Sequence, residues 1–332
     1  MCIRDSINVG RSTFGELYEK GWDGGEPHAQ WQRLAELVRE RQPSRIGINT
    51  SRSWAFADGL SAALKAELEE ALGDELSERL ESAENLVIRW LETRTPDEIE
   101  VYPHIVRLAR GVIAEAFSDR VITAGVTTTG DVRAYIHQRF SDLNLAVWFP
   151  PSVAVQHPDS PCSGDNPVCA EDGIIRPGDL LHTDVGICYL RLCTDTQEMG
   201  YVLRLGETDA PEGLKEALAI GNRWQDILTA EFRSGRAGNE ILDRALKATK
   251  AAGITGSIYT HPLGFFGHGP GPIIGLWDNQ GPIPVRGEWL LHPDTAYAIE
   301  GNVKVAAPDW GDHPAQIKLE QSAFFDGEQV LY

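Results

Sequence analysis

Residues 180–196, LLHTDVGICYLRLCTDT, place two aspartates inside an apolar, strand-like segment. Asp184 and Asp195 stand eleven positions apart. Asp is depleted in strands, and a buried carboxylate is costly unless it is paired or bound to a cation. Any fold that buries this segment must bring something to neutralise both carboxylates. A metal site completed by His and Glu residues from later in the chain would meet that demand.

The rest of the chain must supply those partners, and at 332 residues it is long enough for two domains. Its formal charge of -19 argues against a nucleic-acid partner and against binding to an anionic membrane. No apolar run approaches the ~20 residues that span a bilayer. The five cysteines do not make a disulfide scaffold at this length. Cys188 and Cys193, five apart, would face opposite ways on one continuous strand. Cys162 and Cys169 share a loop rich in Pro, Gly and Asp, where a bridge and two free thiols are both open. The opening MCIRDS has neither the charged start nor the apolar core of a signal peptide and reads as a truncated beginning. A cytoplasmic location is expected, with export left open.

Helical periodicity at residues 29–41 and 60–72 flanks a short strand at 45–50, an α/β pattern. Residues 86–91, LVIRWL, read as a strand. Thr95, Pro96 and Glu98 then form the start of a capped helix running to about Phe117, and Pro103 is a candidate kink. A domain boundary is placed just before it, giving units 1–94 and 95–332. A second helix follows Gly125, with Thr127, Thr128, Thr129 and Asp131 at its start. The same helix, Gly, helix arrangement recurs over 212–252, a faint internal repeat. The chain then turns to strands, the last at 318–325 and 329–332.

The later segment holds the candidate partners. His261 lies in THPLG and His268 in GHGPG, where flanking glycines let the backbone approach a site closely. Glu300 ends the apolar run AYAI, and Glu320 follows Lys318 on the same face of IKLE. Singly, each has an ordinary explanation as a loop or solvated residue. As an ordered set of Asp, Asp, His, Glu and Glu they do not.

That set resembles the creatinase/aminopeptidase group of metallopeptidases (family M24, the pita-bread fold), which includes methionine aminopeptidases, Xaa-Pro aminopeptidases and prolidases. The resemblance runs from about Thr95 to Tyr332 on HTDVG, CTDT, HPLGFFGH, AIEGN and KLEQS, together with VITAGVTTTGDV. It implies an α+β catalytic domain, a curved antiparallel sheet covered by two helix pairs, behind a smaller and partly missing N-terminal α/β domain. It implies two divalent ions, Mn first among Mn, Co, Zn and Fe, on Asp184, Asp195, His261, Glu300 and Glu320. Asp184 would chelate one metal and His261 the other, with Asp195 and Glu320 bridging. Glu300 would also shuttle a proton. His268 would hold the oxyanion, since taking His268 as the ligand would put Gly275 where the second His belongs. His157 is the candidate for an upstream substrate-binding His, with His182 its rival. The family often has a Gly between its two aspartates. Here Tyr189, Leu190, Arg191 and Leu192 stand instead, which suggests a wider or different turn.

The activity implied is hydrolysis of the bond after the first residue of a short peptide, with Pro second, by a homodimer. Two rivals on the same fold remain: a metal-free, creatinase-like C–N hydrolase of a small guanidino or amide compound, and a non-catalytic binding protein.

Overall fold

The computed structural model describes residues 7–8, 19–22, 26–159 and 173–332. The pairing considered for Cys162 and Cys169 lies outside these residues. The chain divides into two compact units, Met1–Ile88 and Arg89–Tyr332.

In the first unit, β1 (Ile7–Asn8) and β2 (Glu19–Lys20) form a short parallel pair. Helix α1 (Pro27–Arg41) starts on a proline, whose missing N–H would have had no partner in the first turn anyway. Its Ala35 packs with Leu68, Leu72 and Leu76 from α2 (Ala62–Leu72) and α3 (Asp74–Ser77). Strands β3 (Ile46–Ile48) and β4 (Leu80–Ser82) pair in parallel.

Residues 86–91 are not a strand; they lie in α4 (Glu84–Glu92). Leu86 and Trp90, four apart, are both exposed while Ile88 is fully buried. Six apolar-rich residues are too few for periodicity to separate the two states.

The second unit opens on α5 (Pro96–Ala116), capped reciprocally by Thr95 and Glu98 as the sequence predicts, and continuous through Pro103. Helix α6 (Thr129–Asp142) carries the same box from Thr128 and Asp131. After the strands of the first half, α7 (Glu212–Thr229) and α8 (Gly238–Ala251) repeat the arrangement.

The strands are β5 (Ala146–Val147), β6 (Ser152–Gln156), β7 (Leu180–Val185), β8 (Ile187–Tyr189), β9 (Leu192–Cys193), β10 (Thr196–Tyr201), β11 (Gly256–Ile258), β12 (His261–Leu263), β13 (Thr295–Val305), β14 (Ala315–Phe325) and β15 (Val330–Leu331). The main sheet runs β11-β13-β14-β10-β7-β6, with β12 beside β13 and β15 beside β14. All its pairings are antiparallel.

Alternation along the strands decides what each face carries. Val153, Val155, Leu181 and Val185 pack against α5 and α6. Ile299, Val303, Ile317 and Leu319 pack against Trp224 and Leu228 of α7 and Ile241 and Leu242 of α8. The intervening residues, Asp184, Glu300 and Glu320 among them, are thereby turned to the other face. No helix among the described residues is long and apolar enough to cross a membrane.

Candidate metal centre

Strand register puts the acidic residues in one row. Asp184 on β7 pairs with Gln197 on β10, Gln197 with Glu320 on β14, and Glu320 with Glu300 on β13. Neighbouring strands lie about 4.8 Å apart, so these four side chains project side by side from one face. Asp195 sits between β9 and β10. Its N–H donates to Ser322 Oγ at 3.2 Å, and that hydroxyl donates back to Asp195 O at 2.9 Å.

His261 opens β12 opposite Ala298. Its Nε2 lies 3.5 Å from Asp195 Oδ2, 3.5 Å from Glu320 Oε1 and 3.9 Å from Glu300 Oε2. Gly301, next to Glu300, must lack a side chain, because a Cβ there would fall 2.1 Å from Trp224 and 2.2 Å from Ser257 O.

Three overlapping groups have donor atoms within 4.8 Å of one another: Asp184, Asp195 and Glu320; His261, Glu300 and Glu320; and Asp195, His261 and His268. The structure thus brings together all five residues expected to hold metal, along with His268. The His268 ring lies 4.3 Å from that of His261 and 5.1 Å from that of Trp148, centroid to centroid.

The electrostatics call for a cation. Burial, followed by the charge of Asp184, pushes Glu300 up to about 8. Burial pushes Asp184 up to about 7, although a hydrogen bond with Asp195 opposes it. Asp195 and Glu320 are raised well above the ordinary carboxyl range, first by burial and then by their acidic neighbours. Asp184 Oδ1, Asp195 Oδ1, His261 Nε2 and Glu320 Oε1 are buried without any hydrogen-bond partner. Buried polar atoms are normally satisfied, and orphaned atoms on residues of these overlapping groups fit divalent ions. Burial, then His268, lowers His261 to about 3, so its ring is neutral. Its Nδ1 faces Pro262 O at 3.4 Å, which assigns the proton to Nδ1 and frees the Nε2 lone pair as a ligand.

Gln197 is a residue that sequence reasoning missed. Its Nε2 donates to Glu300 Oε1 at 2.7 Å and Glu320 Oε2 at 2.9 Å, and its Oε1 meets His182 Nε2 at 2.8 Å. The available signal was its parity with Asp195, two positions earlier in the chain. His182, lowered to about 3 chiefly by burial, therefore acts through Gln197 in fixing the two glutamates.

His157 is not brought to this cluster. Ser152 stands opposite Asp184, and His157 lies five residues further along, about 17 Å away in extended chain. There its Nδ1 pairs with Asp179 Oδ1 at 2.7 Å, and its backbone oxygen meets His313 Nε2 at 2.8 Å.

The turn between the aspartates also differs from expectation. It is a tight two-residue turn in which Leu190 and Arg191 take φ of 52° and 66° without glycine. That is the twist a type I′ hairpin requires. Cys188 and Cys193 are not on one strand; they face each other across β8 and β9 and form a disulfide that clamps the turn.

The fold has counterparts among known proteins. The model of metallopeptidase family M24 matches residues 103–321, a span that contains all five candidate ligands. The chain belongs to metallopeptidase family M24. Its α+β pita-bread fold is shared with solved structures that are distant in sequence. The X-Pro aminopeptidase from Thermotoga maritima MSB8 superposes with a TM-score of 0.62 at 18% identity, over 94% of this chain and 78% of that one. For the Xaa-Pro dipeptidase from Bacillus anthracis the TM-score is 0.60 at 18% identity, with the same coverage. For the prolidase from Pyrococcus furiosus it is 0.55 at 18% identity, over 90% and 77%. No curated protein sequence matches the chain. For an M24 chain, a carboxylate and His cluster of this kind is where a divalent metal belongs.

Proposed function

We propose that this M24 chain is a dinuclear metal-dependent exopeptidase that hydrolyses the bond after the first residue of short peptides, with proline in second position. The observation that carries the reading is that Asp184, Asp195, His261 and Glu320, each with a buried unpartnered atom, fall in overlapping groups whose donor atoms lie within 4.8 Å of one another. The fold neighbours named for X-Pro and Xaa-Pro substrates support the choice of bond.

Asp184 would hold one metal and His261 the other, with Asp195 and Glu320 shared between them; Mn is the first candidate, then Co, Zn or Fe. A divalent pair lowers the pKa of a water and polarises a carbonyl. The side chain of Glu300 is 17% exposed, against 5% for Asp195 and 1% for Glu320, so it can reach the substrate. It takes the proton from the attacking water and returns it to the leaving nitrogen. His268, packed against Trp148 at the edge of the cluster, donates to the developing oxyanion. Residues 1–94 act as an accessory domain, and the enzyme is a homodimer. The rivals require a site without its ligands, whereas all five side chains lie together here.

Metal analysis of purified protein should find two Mn-class ions per chain. Cleavage of an Xaa-Pro dipeptide should stop on chelation. Asp195→Ala and Glu320→Ala should lose both properties, and hydrolysis by metal-free Asp195→Ala would sink the mechanism. Light scattering on the loaded enzyme tests the dimer.

A further inference from the structure

The register that aligns the ligands also builds a second row beside them. Two residues along each strand from Asp184, Gln197, Glu320 and Glu300 stand His182, Met199, Lys318 and Asn302. His182 pairs with Met199, Lys318 with Asn302, and Asn302 with Ser257. The period of two puts this row on the ligands' face, about 7 Å away.

In the other direction along β13 the strand runs into the apolar core. Ala298 and Ala296 of β13 pack with Leu263 in the apolar core. A substrate positioned over the ligands therefore extends toward the Lys318 row, where a cavity of about 780 Å³ lies.

This cavity is polar and carries a cation. Lys318 lines it, and its ammonium makes no hydrogen bond or close ion pair among the described residues, although the charges of Asp184 and Glu300 act on it. Gln316, 4% exposed, lines it too; its Nε2 donates to Asn302 Oδ1 at 3.0 Å, and its Oε1 is buried without a partner. An unpartnered acceptor and an unpaired ammonium in one pocket do not suit an apolar occupant. Once two divalent ions took up the charge of the four carboxylates, the charged residues left in the lining would be Lys318, Lys304 and Asp278, and the half-buried Lys318 would lack a full counter-charge. Such a charge is stable against an opposite one.

We propose that Lys318 is a specificity-determining residue whose ammonium binds a carboxylate of the substrate in this cavity. The proposal rests on the peptidase reading for which bond is cut. The carboxylate has two possible sources, an acidic first residue or the free C-terminus of a dipeptide.

The test uses metal-loaded full chain in two arms, Glu-Pro-Ala against Gln-Pro-Ala and Ala-Pro against Ala-Pro amide. In the arm that matches the source, the charged peptide should exceed its neutral twin about tenfold to a hundredfold in kcat/KM, through KM. Lys318→Met should bring that ratio close to one with metal content retained, and Lys318→Arg should restore it in part. Ratios near one in both arms of the unsubstituted enzyme would overturn the proposal. So would a preference that survives Lys318→Met.

Binding of glutarate against glutaramide to the loaded protein gives a readout independent of cleavage. Tighter glutarate binding that Lys318→Met abolishes, with no peptide cut, would sink the peptidase reading and keep the carboxylate site. Cleavage without discrimination in either measurement would do the reverse. Should Lys318→Met fail to fold, Lys318→Gln is compared in the same glutarate titration.

Discussion

Stripping the metal should make this protein less stable as pH rises from 5 to 8. The cause lies in the buried carboxyls. In the metal-free fold Asp184 titrates at about 7 and Glu300 at about 8, against ordinary values of 3.8 and 4.5. Between those limits the folded chain holds protons that the unfolded chain has released, so stability falls with pH. Their contribution is fully present below the unfolded values and is lost as pH climbs through 7 and 8. Each pKa unit corresponds to about 1.4 kcal/mol, so each of these groups accounts for a loss on the order of 4 kcal/mol. That is a large part of the roughly 5–15 kcal/mol that holds a typical domain folded.

The assay is thermal unfolding at pH 5, 6, 7 and 8, in excess chelator and in excess Mn. Tm should drop steeply with pH in chelator and stay nearly level in Mn, so the gap widens upward. A general acidic repulsion would also lower Tm, since the chain carries a charge of -19. Asp184→Asn separates the two causes, because it removes a carboxyl that titrates at about 7 and with it the charge that helps to raise Glu300, and should flatten the chelator curve. A Tm in chelator that is flat or rising from pH 5 to 8, or a slope that Asp184→Asn leaves unchanged, would refute the reasoning.

Gln197→Met should weaken metal binding about tenfold to a hundredfold in a chelator competition, because Glu300 and Glu320 lose their shared donor. His157→Ala should leave kcat within about threefold, since the residue lies off the cluster, while loss of its Asp179 partner lowers stability by about 1–3 kcal/mol in a denaturant melt. Gly301→Ala should cost about 1–3 kcal/mol or more in the same melt and reduce bound metal, because the added methyl collides with Trp224 beside Glu300. Reducing Cys188–Cys193, which closes a loop of sequence separation 5, should cost about 2 kcal/mol and loosen the hairpin that carries Asp195. Thiol trapping during isolation will show whether the bond exists in the cell, and an oxidised pair would weigh against a cytoplasmic location.

The sequence by itself determined which residues are the candidate ligands and in what order they come. Two aspartates in an apolar strand demand neutralisation, and a buried strand residue keeps its face by parity, so Asp184, Glu300 and Glu320 were legible as a set. The helix starts at Thr95 and Thr128 were equally legible, because a capping box is a local exchange of hydrogen bonds. The tertiary structure decided everything that depends on register. Which residue stands opposite which is set by pairing across strands, and that alone selected Gln197 as the donor to two glutamates and laid Lys318 beside the ligand row. It also moved His157 out of the site, since a strand carries a residue five positions on well beyond reach. Residues 86–91 failed for the converse reason: their apolar run suits helix or strand, and only burial of Ile88 against exposure of Leu86 and Trp90 chose the helix. The hairpin shows both levels at once. Its missing glycine was visible in the sequence, but the left-handed turn at Leu190 and Arg191 is held by strand pairing and the Cys188–Cys193 bridge, which exist only once the chain has folded back on itself.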